Sequence, residues 1–318
     1  MKRIGNLYQT IVSLDNLRKA DELARKGKKK SYGVRVHDKN RDDNILKLHE
    51  SLKNKTFKTS DYHIFKIYEP KEREIYRLPY FPDRIVHHAV MNVLEPIWMS
   101  VFTDDTYSCI KGKGIHAAVR KLKRDLKDTE GTGYCLKLDI KKFYPSIDHD
   151  ILKAIVRRKI KDRDLLWLLD EIIDSAPGVP IGNYLSQYFA NLYLAYFDHH
   201  IKEDLRVKYY YRYADDIVIL LNNKEDLHCL LNTIKIYFKD HLNLEVKRNH
   251  QVFPVDARGI DFLGYRFYHT HTLLRKSIKK RFARAVSHRK GDLRQVHAAY
   301  WGWAKHCNST NLLKKLTA

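Results

Sequence analysis

The chain has 318 residues, 44% of them apolar, enough for a sizeable core in one large domain or two to three cooperating lobes. Its 60 Lys and Arg against 38 Asp and Glu leave a net charge of +22 spread along the whole length, which points to a polyanionic partner and favours nucleic acid over an anionic membrane surface. No apolar run approaches the roughly 20 residues of a membrane span, so a cytoplasmic location is expected; the 4 Cys are too scattered for a zinc finger or disulfide framework, and most of the 17 His are expected at the surface or on backbone.

Apolar residues at helical spacing from Asn6 to about Ala24 (Leu7, Ile11, Leu14, Leu17) predict a helix. The basic loop RKGKKK closes it and is expected to touch phosphate. A second helix is predicted from Asp42 to Leu52. YHIFKIY (Tyr62 to Tyr68) alternates like a strand, and IYRLPYF follows the polar turn EPKERE. PDRIVHHAVMNVLEPIW predicts a helix opening at Pro82, with Ile85, Val86, Ala89, Val90, Val93 and Leu94 as its buried stripe. KGKG (Lys111 to Gly114) precedes the helix HAAVRKLKRDL and could hold a phosphate at the helix N-terminus. YCLKLDIKKFYPSID reads as a strand ending at Asp139, with a turn at Pro145. A helix from Ile151 to Ile173, the turn SAPGVPIG and the helix NYLSQYFANLYLAYFDHHI come next. After YYYRYADDIVILL, the pattern predicts a helix from Asp226 to His241, a short strand region HLNLEVKRN and a strand IDFLGYRFY (Ile260 to Tyr268). From Thr272 the chain is basic and helical, with Trp301 and Trp303 expected mainly to pack. Helices and strands mix without strict alternation, so the expected class is α+β.

In YYYRYADDIVILL, alternation sets Tyr209, Tyr211 and Tyr213 on one strand face and Ile217, Ile219 and Leu221 on one face of the next strand. Asp215 and Asp216 are left at the tip of a hairpin. Aspartates at turns commonly serve the turn alone. Here a second apolar strand, LKLDIKKFY, also ends in aspartate, and two such ends in so basic a chain mark local negative charge that calls for a cation. Hard oxygen ligands suit Mg²⁺, which takes one or two carboxylates and completes its shell with phosphate and water. Two-ion phosphoryl transfer requires carboxylates that bridge both ions. Asp139 and Asp215 are the expected bridging pair, and Asp216 the third ligand.

These residues carry a family resemblance. Y-A-D-D between apolar strands resembles the catalytic box of reverse transcriptases, LDIKKFYPSID their upstream aspartate motif, and PIGNYLSQYFANLYL the motif between them. HLNLEVKRN and IDFLGY are similar to the last two palm motifs, and PDRIVHHAVMNVLEPIW with YSCIKGKGIHAAV to the fingers of the group II intron lineage. The motifs keep the family's order from about residue 60 to 268. Where bacterial relatives commonly show Q-G-x-x-x-S-P, this chain has Ile181 and Gln187 in place of Gln and Pro. That departure resembles the reverse transcriptases of diversity-generating retroelements, which copy a template-repeat RNA while misincorporating at adenines.

The resemblance implies a right-hand polymerase: fingers over residues 1–132 with an N-terminal helical extension, palm over 133–271 with a helical insertion around 150–180, and a short helical thumb over 272–318. It implies that Asp139, Asp215 and Asp216 hold two Mg²⁺ ions, or Mn²⁺, with the Ile140 carbonyl as an added ligand. Tyr144 would be the steric gate against a 2′-hydroxyl. The amides after Asp139, through Phe143, would hold the triphosphate. Lys71 or Arg73 would pair with its outer phosphates, with Arg77 as competitor. Ile181, Gly182 and Gln187 would lie against the nucleotide and templating base, and an isoleucine cannot make a glutamine's hydrogen bonds, so relaxed fidelity is expected. IDFLGY would grip the primer, and a general acid would fall at Lys247 or His250. Implied partners are template-repeat RNA, the RNA/cDNA duplex, dNTPs and a basic helical-bundle accessory variability protein, without a membrane. An intron-type reverse transcriptase lacking its endonuclease and a non-catalytic RNA-binding scaffold are the competing readings.

Overall fold

The computed structural model describes residues 3–68, 72–287 and 293–317. In chain order it runs α1 (Tyr8–Val12), α2 (Leu14–Ala24), α3 (Tyr32–Asp38), α4 (Arg41–Lys53), β1 (His63–Ile67), β2 (Arg73–Arg77), α5 (Ile85–Met99), α6 (Ile115–Asp125) and β3 (Tyr134–Asp139). Then come α7 (His149–Lys159), α8 (Arg163–Ile173), α9 (Tyr184–His199), β4 (Tyr209–Tyr213), β5 (Asp216–Leu221), α10 (Lys224–Leu242) and β6 (Gln251–Pro254). The short α11 (Val255–Arg258), β7 (Ile260–Phe262), β8 (Tyr265–Phe267), β9 (Thr272–Leu274), α12 (Lys276–Ser287), α13 (Leu293–Ala304) and α14 (Thr310–Thr317) complete the order.

The chain divides into two compact units. The first comprises Met1–Thr103, Lys142–Phe197 and Asp240–Leu244, and is mainly helical. Two helices predicted as continuous are broken here, each by a cap. Ser13 adopts an extended conformation and accepts a hydrogen bond from the Asn16 amide, which separates α1 from α2. Asp162 caps α8 through the Leu165 amide and also accepts from the amides of Leu7 and Tyr8 at 2.6 and 3.0 Å. The link between α7 and α8 is extended at Ile160, where its neighbours exchange backbone hydrogen bonds with Ile4 at 2.8 Å. The bridge to Ile4 thus outweighs helical continuity over 151–173. α3 was not foreseen in the sequence. His87 is 2% exposed within α5, and burial holds its imidazole neutral by pushing its pKa down to about 3.

The second unit comprises Asp104–Lys141, Asp198–Lys239 and Glu245–Ala318. Its main sheet has the order β4-β5-β3-β6, with every pairing antiparallel. The registers Tyr211↔Val218 and Lys137↔Val218 place Cys135, Lys137 and Asp139 on the same face as Tyr209, Tyr211, Tyr213, Asp216, Val218 and Leu220. At one end this face is core: Cys135, Tyr209, Tyr211, Val218 and Leu220 pack with Ala118, Val119 and Leu122 of α6 and with Phe262, Tyr265 and Phe267 of β7 and β8. Each such large side chain, fully buried, stabilises the fold by about 1.5–3 kcal/mol. At the other end the same face turns polar with Lys137, Asp139 and Asp216.

Two predicted elements take a different form. HLNLEVKRN makes only an isolated bridge, Ile140↔Val246, and the sheet edge is β6. IDFLGYRFY folds into the hairpin β7–β8 because Leu263 and Gly264 both take positive φ (50° and 88°), which reverses the chain, and β9 adds a third strand. Trp303 packs against the Tyr265 ring at 5.7 Å, whereas Trp301 is 56% exposed.

Candidate active site

Asp139 is the last residue of β3 and pairs with Asp216, the first of β5. Residues paired across an antiparallel ladder share a face, so the two carboxylates are neighbours. Asp216 is therefore in the ladder and only Asp215 is in the turn, where Ala214 with φ of 53° reverses the strand between Tyr213 and Asp216. Arg212, the one cation in this apolar stretch, anchors that turn. It is fully buried, donates from Nε to both Asp198 carboxylate oxygens at 2.7 and 3.0 Å, and from a terminal nitrogen to the Ala214 carbonyl at 3.2 Å. Thr106 Oγ1 and Tyr210 Oη donate to the same carboxylate at 2.9 and 2.6 Å, so its lone pairs are filled.

The third segment of the site follows α10 and meets the end of β3 through the isolated bridge Ile140↔Val246. The Lys247 amide donates to the Asp139 carbonyl and the Lys141 amide to the Glu245 carbonyl, each at 2.8 Å. In that arrangement the amide and carbonyl of Ile140 itself point to the other side of the strand, the side of β5. Lys247 Nζ lies 2.5 Å from Asp139 Oδ2. His250 turns back locally, its Nδ1 3.0 Å from the Lys247 carbonyl, so of the two acid candidates only the lysine reaches an aspartate.

The electrostatics are those of crowded like charges. Burial pushes the Asp215 carboxyl up to about 7, aided by Asp139, which lies within hydrogen-bonding reach. Burial likewise pushes Asp216 up to about 6, opposed by Lys137 and reinforced by Asp139. Oδ1 of Asp139 and Oδ1 of Asp216 are both buried with no hydrogen-bond partner among the described residues. Buried carboxylate oxygens left this way favour a cation. The three aspartates are not a closed cage: among the described residues no three His, Cys, Asp or Glu side chains are arranged to hold an ion together. That donor set fits Mg²⁺ or Mn²⁺ sharing its shell with substrate phosphate and water.

The remaining predicted positions belong to the first unit. Lys71 lies outside the described residues. Arg73 and Arg77 are the exposed ends of β2, and the Arg77 guanidinium sits 5.9 Å from the centre of the Phe65 ring. Phe143 is buried, with its ring 5.5 Å from that of half-buried Tyr144. The SAPGVPIG turn closes on Tyr144: the Val179 amide donates to its carbonyl at 2.8 Å, and a Cβ on Gly178 would come within 2.5 Å of the same oxygen. The Ile181 carbonyl accepts from the Tyr76 amide at 2.8 Å, and Gly182, at φ of 126°, abuts the Tyr76 carbonyl so closely that a Cβ would sit 2.7 Å away. Gln187 is an exposed residue of α9. Lys137, Arg212 and Asp198 went unnoticed in the sequence as site residues; for Arg212 the signal was its solitary charge inside an apolar strand.

A family model described as Reverse transcriptase (RNA-dependent DNA polymerase) matches residues 69–267, more than half of the chain. This chain belongs to the reverse transcriptase family. Its relatives include protein YkfC of Escherichia coli K12, 25% identical over 270 residues, with 70% of this chain and 69% of that protein covered. The group II intron-encoded protein LtrA of Lactococcus lactis is 23% identical over 299 residues, and the match covers 70% of this chain but 49% of LtrA. This reverse transcriptase thus spans about half the length of its intron-encoded relative. Two telomerase structures, from Candida tropicalis (truncated from its C-terminal domain) and Candida albicans, align with TM-scores of 0.50 at 13% and 11% identity. They cover 66% and 75% of this chain, and 53% and 52% of their own. At that identity they bear on fold alone. The α+β polymerase class expected from the motifs is the fold of this reverse transcriptase, with mixed helix and antiparallel sheet. Among its described residues no helix is long and apolar enough to cross a membrane.

Proposed function

We propose that this reverse transcriptase is the RNA-directed DNA polymerase of a diversity-generating retroelement, copying a template-repeat RNA into cDNA with errors at adenines. The observation that carries the polymerase reading is the in-register pair Asp139↔Asp216, each with a buried Oδ1 that has no hydrogen-bond partner among the described residues, and Asp215 in the adjoining turn. Asp139, Asp215 and Asp216 would hold two divalent ions, with the Ile140 carbonyl as an added ligand. When bound, such ions lower the pKa of the primer 3′-hydroxyl and neutralise the triphosphate and leaving pyrophosphate. Lys247 holds the Asp139 carboxylate in place and is the better placed of the two acid candidates for the pyrophosphate. Tyr144, its backbone held by the Gly178 turn, would exclude a 2′-hydroxyl. Arg73, with Lys71 and Arg77 nearby in sequence, would meet the outer phosphates, and the amides leading to Phe143 the inner ones.

The diversity-generating assignment rests on Ile181 and Gln187. With its carbonyl taken by Tyr76, Ile181 offers only an aliphatic side chain where Gln would offer an amide. A geometric check on the base pair is thereby loosened. The excess of 22 positive charges suits template-repeat RNA, the RNA/cDNA duplex and dNTPs as partners; the accessory variability protein is part of the same proposal. Similarity to LtrA favours a second reading, an intron-type reverse transcriptase without adenine bias. Primer extension on an RNA template with Mg²⁺ and dNTPs decides. Wild type extends the primer with excess errors opposite adenine, Asp215→Asn does not extend it, and Ile181→Gln reduces the errors. Equal extension by Asp215→Asn refutes the polymerase site, and an unchanged error spectrum in Ile181→Gln refutes the role of that residue.

A further inference from the structure

Lys137 has no part in the chemistry proposed above, yet it faces the site. It lies on the same strand face as Asp139, two residues before it, opposite Val218. Its Nζ is 3.7 Å from Asp216 Oδ1, close enough for charge attraction and too far for a hydrogen bond. Its hydrogen bond goes instead to the backbone carbonyl of Asp261, 124 residues further on in β7. The Asp261 carboxylate accepts from Arg275 Nε at 2.6 Å, and the Arg275 amide donates to the Gly264 carbonyl at 2.9 Å, so the hairpin is held from both sides just before α12 begins. One ammonium is therefore bonded to the β7–β8 hairpin and electrostatically paired with an aspartate whose Oδ1 has no hydrogen-bond partner among the described residues.

We propose that Lys137 is a positioning residue with two separable tasks: its charge is the resident counter-ion of Asp216, which an incoming divalent ion must displace, and its N–H anchors the primer-gripping hairpin at Asp261. This rests on the reading of Asp216 as a metal ligand and of β7–β8 as the primer grip. The geometry makes an unusual demand on a substitution. A cation near the carboxylate repels a second cation, so losing the Lys137 charge tightens divalent-ion binding. Losing its hydrogen bond loosens the hairpin and weakens primer binding. A merely structural lysine would weaken both.

The test uses the full chain. Mn²⁺ binding is followed by the electron paramagnetic resonance signal of free Mn²⁺, and an RNA/DNA template-primer is titrated by fluorescence anisotropy without divalent ions. Lys137→Met, which keeps the stem and loses both charge and donor, should bind Mn²⁺ tighter by on the order of tenfold and the template-primer weaker by about fivefold. Lys137→Gln, which keeps a donor, should show the tighter Mn²⁺ binding alone, and serves equally if Lys137→Met does not fold. Mn²⁺ binding that is unchanged or weaker in both variants overturns the counter-ion role, and unaltered template-primer affinity in Lys137→Met overturns the anchor. Asp216→Asn separates the levels: if it leaves Mn²⁺ affinity intact, the metal reading itself falls, whereas weakened Mn²⁺ binding there with no change in Lys137→Met sinks only the coupling.

Discussion

Asp215 should destabilise the fold it belongs to. Its carboxyl is raised from the usual 3.8 to about 7, so between those values the native state holds a proton that the unfolded chain has released. Stability then falls as pH rises through that window, and the loss is complete above about pH 7. Moving a carboxyl over that span corresponds to roughly 4 kcal/mol, which is a ceiling, because Asp139 beside it is paired with Lys247 and part of the repulsion is already relieved. Asp215→Asn keeps shape and hydrogen-bonding capacity without ionising. We expect it to be more stable than wild type by about 2 kcal/mol at pH 8 and indistinguishable from it at pH 4. Urea unfolding of both proteins without divalent ions, followed by tryptophan fluorescence across that pH range, gives the difference directly. An Asn variant that is less stable at pH 8, or a gap that does not close on acidification, would refute the argument that like-charge crowding and burial govern this aspartate.

Other expectations follow from neighbouring contacts. Arg212→Met leaves the buried Asp198 carboxylate without its cation and should cost about 3–5 kcal/mol in urea unfolding, most of it recovered when Asp198→Asn is added; a loss below about 1 kcal/mol would contradict a paired buried charge. Gly178→Ala places a Cβ 2.5 Å from the Tyr144 carbonyl at a φ of 62°, so a loss of at least about 2 kcal/mol is expected, and wild-type stability would mean that the turn does not hold Tyr144. Tyr144→Ala should raise ribonucleotide incorporation on the order of tenfold in primer extension while leaving dNTP incorporation measurable, and unchanged sugar selectivity would remove Tyr144 as the gate.

Period-2 patterning was enough to end β3 at Asp139 and to set two strands around Asp215 and Asp216, because the tyrosine and isoleucine rows each demand one face. It was not enough to put Asp216 in the ladder, since that depends on Ala214 taking positive φ. Nor could helical periodicity reveal the breaks at Ser13 and Ile160. Both are made by capping or pairing that competes with helix continuation, and at Ile160 the partner is Ile4, at the far end of the first unit's sequence.

What the amino-acid sequence determined by itself is the family and the choice of the three aspartates as candidate ligands, through local alternation and motifs whose meaning lies within a few residues. Tertiary structure alone decided which cations stand beside those aspartates. Lys247 reaches Asp139 across 108 residues and Lys137 bonds to Asp261 across 124, and no local pattern distinguishes Lys247 from His250 or marks Lys137 among 60 basic residues. Antiparallel register makes those choices, because a shift of one residue would send each side chain to the opposite face of the sheet.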